Sequence, residues 1–128
     1  MAMAEPTSGK GLEQACAELA GRLGLAVRRQ VPVARRIWGP RRHIDVLVTD
    51  TALRRSLGIE CKYQRVSGTA EEKIPATIQD IGAWPMAGIV CFAGPGFSDH
   101  LRSFMIASGR AVEYPDLEDW LRIYFVLA

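Results

Sequence analysis

Hydrophobic and polar residues alternate along the stretch 57–64, and this alternation predicts a β-strand. The apolar positions are Leu57, Ile59, Cys61 and Tyr63. Because successive side chains of a strand point to opposite faces, one face is apolar and the other carries Glu60, Lys62 and Gln64 in a row. Neighbours in that row lie about 6 to 7 Å apart. An acid, a base and an amide thus share one exposed face of this strand.

The pattern along the rest of the chain predicts helices where apolar residues recur every three or four positions, and strands where they alternate or run together. The predicted elements, in order, are a helix at 9–23, strands at 25–33, 42–49 and 57–64, a helix at 69–84, a strand at 88–93, a helix at 98–108, a strand at 111–114 and a helix from 116. Pro75 should kink or restart the second helix, because proline cannot donate the helical hydrogen bond. This order predicts an α/β fold, a mixed sheet flanked by helices.

Two helical segments carry apolar residues whose burial can be predicted. The stripe of the third helix includes Leu101, Phe104 and Met105, and these residues are expected to face the sheet. The segment 120–128 is apolar nearly all round. It either forms part of an interface with a second copy or packs into the core of its own chain.

Length and composition indicate one compact domain. The chain has 128 residues, of which 48% are hydrophobic and 23% charged, so an ordinary core fits within residues 9–128 and residues 1–8 read as a flexible tail. No apolar run reaches the length of a membrane span, and the first ten residues lack the core of a signal peptide. Three cysteines without metal-type spacing read as small buried residues in a reducing compartment. We therefore expect a cytoplasmic protein.

The positive charge is concentrated in the first half of the chain, although the net charge is only +2. Four arginine pairs lie there, at 28–29, 35–36, 41–42 and 54–55. Such clustering favours a local basic surface that can meet a polyanion. The simpler interpretation is that each pair only solvates a strand end or turn.

A second candidate acid, Asp45, lies inside the predicted strand 42–49. An unpaired carboxylate among apolar neighbours is costly, which indicates that Asp45 has a role. Two strands joined by a short loop pair antiparallel, and this pairing can bring Asp45 alongside Glu60 and Lys62. The alternative is a structural ion pair on a solvent-facing sheet edge.

An aspartate followed by Glu60-Cys61-Lys62 on the next strand resembles the PD-(D/E)XK nuclease superfamily, which has the restriction endonuclease-like fold. The predicted order helix, three strands, helix, strand is the αβββαβ core order of that superfamily. The resemblance extends over about residues 9–93. Ile44 stands where the family name has proline, a departure that many members share.

The resemblance implies a metal-dependent phosphodiester hydrolase. Asp45 and Glu60 would then bind Mg²⁺ or Mn²⁺, with the backbone carbonyl of Cys61 as a third ligand, since these hard ions prefer oxygen ligands. Lys62 would orient or deprotonate the attacking water. A lysine between carboxylates tends to stay protonated, which favours an electrostatic role over that of a true base.

Two further residues match positions that the resemblance makes functional. Glu13 corresponds to a first-helix glutamate that joins the metal site in resolvase-like members, and it lies beside a face of small residues; its simpler role is to favour the helix dipole. Gln64 extends the motif to Glu-x-Lys-x-Gln and would contact a metal-bound water or a phosphate. The alternative for Gln64 is a plain surface amide.

Four basic side chains are candidates for contact with nucleic acid: Arg41, Arg42, His43 and Lys73. His43 lies two residues before Asp45 on the same strand face, although an ordinary strand-end histidine is the favoured interpretation. Lys73 would reach a phosphate from the first turn of a helix, unless it belongs to a solvated turn beside Glu71 and Glu72.

The sequence thus predicts a metal-dependent endonuclease that cleaves DNA and acts as a homodimer, because cutting both strands needs two sites. Two alternatives stay open. One is a nuclease for Holliday junctions or other branched structures, and the other is a non-catalytic nucleic-acid-binding module with the same fold.

Overall fold

The computed structural model describes residues 5–35, 41–66 and 70–128, and within these the side chains of residues 34, 35, 41 and 70–73 are not described. The candidate DNA contacts of Arg41 and Lys73 therefore lie outside the described side chains. The elements are α1 (Gly9–Arg22), β1 (Ala26–Arg35), β2 (Arg41–Asp50), β3 (Arg55–Tyr63), α2 (Ala70–Ile81), β4 (Ala87–Ala93), α3 (Asp99–Ala107), β5 (Ala111–Glu113) and α4 (Leu117–Tyr124).

The five strands form one mixed sheet in the order β1-β2-β3-β4-β5. β1, β2 and β3 pair antiparallel through short connections. β4 runs parallel to β3, and β5 runs parallel to β4, because α2 and α3 carry the chain back between them. The predicted mixed α/β fold with an αβββαβ core is confirmed.

Alternation along the strands creates two apolar cores, one on each face of the sheet. The first core gathers residues of α1 and α4 against one face, and its fully buried members include Leu12, Val46, Ile59 and Leu121. The second core gathers residues of α2 and α3 against the other face. Residues of β3 such as Leu57 and Ile59 belong to the first core, so Glu60 and Lys62 point towards the layer of α2 and α3.

Local signals set several helix ends as the sequence predicts. The Ser8 hydroxyl accepts a hydrogen bond from the Gly11 amide at 2.9 Å, and Ser98 caps α3 in the same way. Gly24, with φ +85°, follows the end of α1. The second helix, Ala70–Ile81, is shorter than the predicted 69–84 and continues through Pro75 without restarting, and a kink there stays a prediction. Across the described ranges, no helix is both long and apolar enough to cross a membrane.

The predicted burial of Phe104 is wrong, and the C-terminal segment 120–128 is buried on one face only. Phe104 is 47% exposed, because the nine-residue α3 turns only Leu101 and Met105 fully towards the sheet. In the C-terminal segment, Leu121 and Phe125 are completely buried. Ile123 and Val126 are mostly exposed, so this segment packs into its own core with one face and leaves the other to solvent.

Candidate active site

The pairing of β2 with β3 ends where the candidate acids lie. The antiparallel register runs from Asp50 opposite Arg55 to Val46 opposite Ile59, so its next pair would be Asp45 and Glu60. Instead, the Asp45 Oδ2 atom accepts a hydrogen bond from the backbone N–H of Cys61 at 2.9 Å. The Asp45 carboxylate thus takes the place of a backbone acceptor. The two strands open here, and we call this opening, formed by Asp45, Glu60 and Cys61, the fork.

The strand register places Asp45 and Glu60 beside each other in the fork. The pKa of Glu60 is raised to about 8, mainly by burial and then by the hydrogen bond and negative charge of Asp45. Lys62 opposes this increase, whereas the Asp80 carboxylate on α2 adds to it. The Glu60 carboxyl group thus resists ionisation in the fork, and a bound cation would relieve this.

Lys62 lies on the same strand face as Glu60, as alternation predicts. Its Nζ atom is 3.9 Å from Glu60 Oε1. The lysine side chain is 41% exposed and the Glu60 side chain 21% exposed, so the ammonium lies at the mouth of the fork and the carboxyl deeper. This geometry lets Lys62 reach a group approaching from solvent.

Glu13 of α1 approaches the fork through a chain of hydrogen bonds. Its Oε1 atom accepts hydrogen bonds from Arg29 Nε at 3.2 Å and from Gln30 Nε2 at 3.0 Å. The same Gln30 nitrogen donates to Asp45 Oδ1 at 3.2 Å. The Glu13 side chain is only 12% exposed. The Gln30 amide group therefore lies between the Glu13 and Asp45 carboxylates and donates a hydrogen bond to each.

Gln64 follows the last residue of β3 and is buried, with 7% of its surface exposed. Its Nε2 atom donates to the Gly96 carbonyl at 2.8 Å, and the Gly96 amide donates back to the Gln64 carbonyl at 2.9 Å. The Gln64 Oε1 atom is buried without a hydrogen-bond partner. Gln64 thus secures the loop between β4 and α3, and its predicted role beside Glu60 and Lys62 stays a prediction.

The described candidates for DNA contact border the fork on β2. Arg42 donates to Asp80 Oδ1 at 2.8 Å, an ion pair that ties β2 to α2. His43 is exposed and lies two residues from Asp45 on the same strand. Both residues lie on the same strand as Asp45, and their contact with nucleic acid stays a prediction.

Comparison with known families decides the classification of the chain. Residues 2–124 match the family described as "PD-(D/E)XK nuclease superfamily domain", which covers nearly the whole chain. The chain belongs to the PD-(D/E)XK nuclease superfamily. The resemblance inferred from Asp45 and the Glu60-Cys61-Lys62 motif is confirmed.

A solved structure supports the fold of this superfamily member. The crystal structure titled "Protein of Unknown Function AF1548" superimposes with a TM-score of 0.54 at 16% sequence identity. The match covers 80% of this chain and 58% of the other, so the chain spans little more than half the length of that neighbour. No curated protein sequence matches this chain.

The fork offers a divalent cation two carboxylate ligands, those of Asp45 and Glu60. Within 5–35, 41–66 and 70–128, no three His, Cys, Asp or Glu side chains lie close enough together to hold a metal ion. Asp45 and Glu60 nevertheless supply adjacent carboxylate oxygens, which Mg²⁺ and Mn²⁺ prefer. For Cys61 the structure shows the N–H group bonded to Asp45, and metal binding by its carbonyl and by Glu13 stays a prediction.

Three residues around the site were not predicted from the sequence: Arg29, Gln30 and Asp80. Arg29 and Gln30 lie in a predicted strand, but nothing local indicates that both reach Glu13, fifteen or more positions away. For Asp80 the sequence gives a weak indication that it lies near the sheet, because it precedes Ile81, which helical spacing places against the sheet. Its carboxylate contributes to the raised pKa of Glu60.

The raised pKa of Glu60 predicts how the stability of this superfamily member depends on pH when metal is chelated. Above its ordinary pKa of 4.5 the unfolded chain loses the Glu60 proton, while the folded chain keeps it up to a pH of about 8. The contribution of Glu60 to the free energy of unfolding is therefore greatest below pH 4.5. It falls as pH rises to 8, by at most about 1.4 kcal/mol per pH unit.

Urea unfolding in chelator between pH 5 and 9 measures this dependence, with Glu60→Gln as the comparison. The glutamine side chain of the variant does not ionise, so its free energy of unfolding should fall less over the same pH range. Parallel curves for the two proteins would contradict the prediction.

Proposed function

We propose that this nuclease-superfamily chain is a divalent-cation-dependent endonuclease that hydrolyses DNA phosphodiester bonds at the fork. The observation that carries the proposal is geometric. The Cys61 N–H group holds the Asp45 carboxylate at 2.9 Å, beside Glu60, and the Lys62 ammonium lies 3.9 Å from the Glu60 carboxyl group. Two acids and one base at the end of a strand pair supply the groups that phosphodiester hydrolysis needs.

Asp45 and Glu60 would hold Mg²⁺ or Mn²⁺ in the fork. When bound, such a cation lowers the pKa of a water molecule and neutralises charge on the phosphate. Asp45 is already fixed for this task by the Cys61 N–H group. Glu60 keeps its proton up to a pH of about 8 and must release that proton from its carboxyl group before it can bind the cation.

Lys62 acts as a positive charge at the mouth of the fork. Its Nζ atom lies 3.9 Å from Glu60 Oε1, so its charge is directed at the group that would hold the cation. From this place it orients the attacking water and stabilises negative charge that develops on the phosphate.

The fork suits a polymeric substrate because it is open to solvent. A cavity of about 520 Å³ lies next to Tyr63, Gly94 and Tyr114. Tyr63 packs towards the first core, so this cavity lies on the other face of β3 from Glu60 and Lys62. The exposed mouth of the fork at Lys62 is therefore distinct from this cavity, and a nucleic acid strand can reach it from solvent.

A cleavage assay with and without metal tests the proposal. The substrates are supercoiled, linear, single-stranded and four-way-junction DNA, with RNA for comparison, each in Mg²⁺, Mn²⁺ or chelator. We expect cutting of DNA only with metal, and preference for the junction would identify a structure-specific nuclease. Conversion of supercoiled DNA to linear product in one binding event would support a homodimer, and nicked circles would support single-site action.

Failure to cut any substrate in either metal would contradict the proposal. If the protein then binds DNA equally well in chelator, it is a nucleic-acid-binding module that keeps the fold.

A further inference from the structure

Gln30 has a backbone conformation that glutamine rarely adopts. Its φ angle is +51°, in the left-handed region that disfavours residues with a side chain. The flanking residues pair normally with β2, with Arg29 opposite Val46 and Val31 opposite Ile44. Gln30 is therefore a kinked position within a paired stretch of β1, ahead of the register shift between Pro32 and Arg35, and its neighbours' pairing places it opposite Asp45.

The kink accounts for an arrangement that a regular strand forbids. Successive side chains of a strand point to opposite faces, yet Arg29 and Gln30 both donate to the same oxygen atom, Glu13 Oε1. Arg29 lies on the face covered by α1, since its partner Val46 belongs to that core. The left-handed turn at Gln30 lets the next side chain reach Glu13 as well, while the same nitrogen contacts Asp45.

The amide group is well suited to this place. An NH₂ group has two hydrogens, so Gln30 Nε2 can donate to Glu13 and Asp45 at the same time. It holds two carboxylates at a defined separation without adding positive charge. Arg29 already places a positive charge beside Glu13. A lysine or arginine in place of Gln30 would add a second charge, neutralise Asp45 and compete with a cation for its oxygens.

We propose that Gln30 is a positioning residue of the nuclease site, which holds the Glu13 and Asp45 carboxylates in place for a divalent cation. This inference rests on the proposed function, because it needs Asp45 to bind metal. Strain at functional positions is a known feature of sites that are organised in advance, and groups that orient metal ligands typically change metal affinity about 10- to 100-fold when they are removed.

The test uses Gln30→Gly, which removes the amide and also relieves the strained φ angle. Arg54→Gly is the matched control, because Arg54 has a φ angle of +53° and lies exposed in the turn between β2 and β3. Mn²⁺ binding is measured by electron paramagnetic resonance, and folding by thermal unfolding in chelator. We expect Gln30→Gly to bind Mn²⁺ about 10-fold more weakly with no loss of melting temperature, and Arg54→Gly to bind it as wild type does.

A second variant, Gln30→Lys, tests the importance of a neutral donor. It retains hydrogen-bond donors but adds a charge, so we expect Mn²⁺ binding at least as weak as that of Gln30→Gly. Wild-type affinity in either Gln30 variant would overturn the role of Gln30 and leave the proposed metal site intact. If the wild-type protein itself binds no Mn²⁺, both the metal site and the role of Gln30 are overturned.

Discussion

Replacing Glu60 by glutamine is expected to lower the rate of DNA cleavage by at least about 10³-fold. Cation stabilisation of a phosphoryl transition state supplies several kcal/mol, and each 1.4 kcal/mol corresponds to about a tenfold change in rate. Glutamine retains the size of Glu60 but cannot supply a negative oxygen to Mg²⁺ or Mn²⁺. Cleavage rates in Mn²⁺, together with the Mn²⁺ dissociation constant, measure the effect.

The matched control for this variant is Glu18→Gln. Glu18 is an exposed acid of α1 whose described contact is a hydrogen bond from Gln14, so its replacement should leave cleavage unchanged. The chelated Glu60→Gln protein should be at least as stable as wild type at pH 8, because the variant lacks the disfavoured charge beside Asp45. Cleavage by Glu60→Gln within tenfold of wild type would remove Glu60 from the metal site.

Replacing Lys62 by alanine is expected to lower the cleavage rate by about 10²- to 10⁴-fold and to leave DNA affinity within about threefold of wild type. A positioned group that assists proton transfer or charge development contributes rate effects of this size. A single exposed ammonium, in contrast, makes a small contribution to DNA binding. Single-turnover cleavage and DNA binding in chelator separate the two effects.

Lys10→Ala is the control for Lys62→Ala, since Lys10 is an exposed lysine in the first turn of α1. It should change neither rate nor affinity. If Lys62→Ala loses binding and cleavage in parallel, Lys62 is a phosphate contact instead of a group that acts on the reacting atoms.

Local patterns predicted the fold and the central part of the site. Strand alternation placed Glu60 and Lys62 on one face, and the short connection between β2 and β3 brought Asp45 beside Glu60. These features follow from the strand period and from the rule that short loops join antiparallel strands. The prediction of the family used the same residues, and the match over 2–124 confirms it.

Contacts between distant parts of the chain were not predictable from these patterns. The hydrogen bonds of Gln30 to Glu13 and Asp45 depend on a backbone kink that no glycine or asparagine indicates. Gln64 continues the alternation of β3, but its side chain bonds to Gly96, 32 positions further along the chain. The exposure of Phe104 depends on how much of the sheet the short α3 can cover.

The alternation within β3 places core residues and site residues on opposite faces of the same strand. Ile59 packs in the first core and Glu60 faces the fork. A slip of β3 by one residue against its neighbours would exchange the two faces, moving Glu60 and Lys62 under α1 and pushing Ile59 into solvent. A misregistered chain could not keep a sound core with a displaced site, so the strand pairing that buries Ile59 also places the acids together.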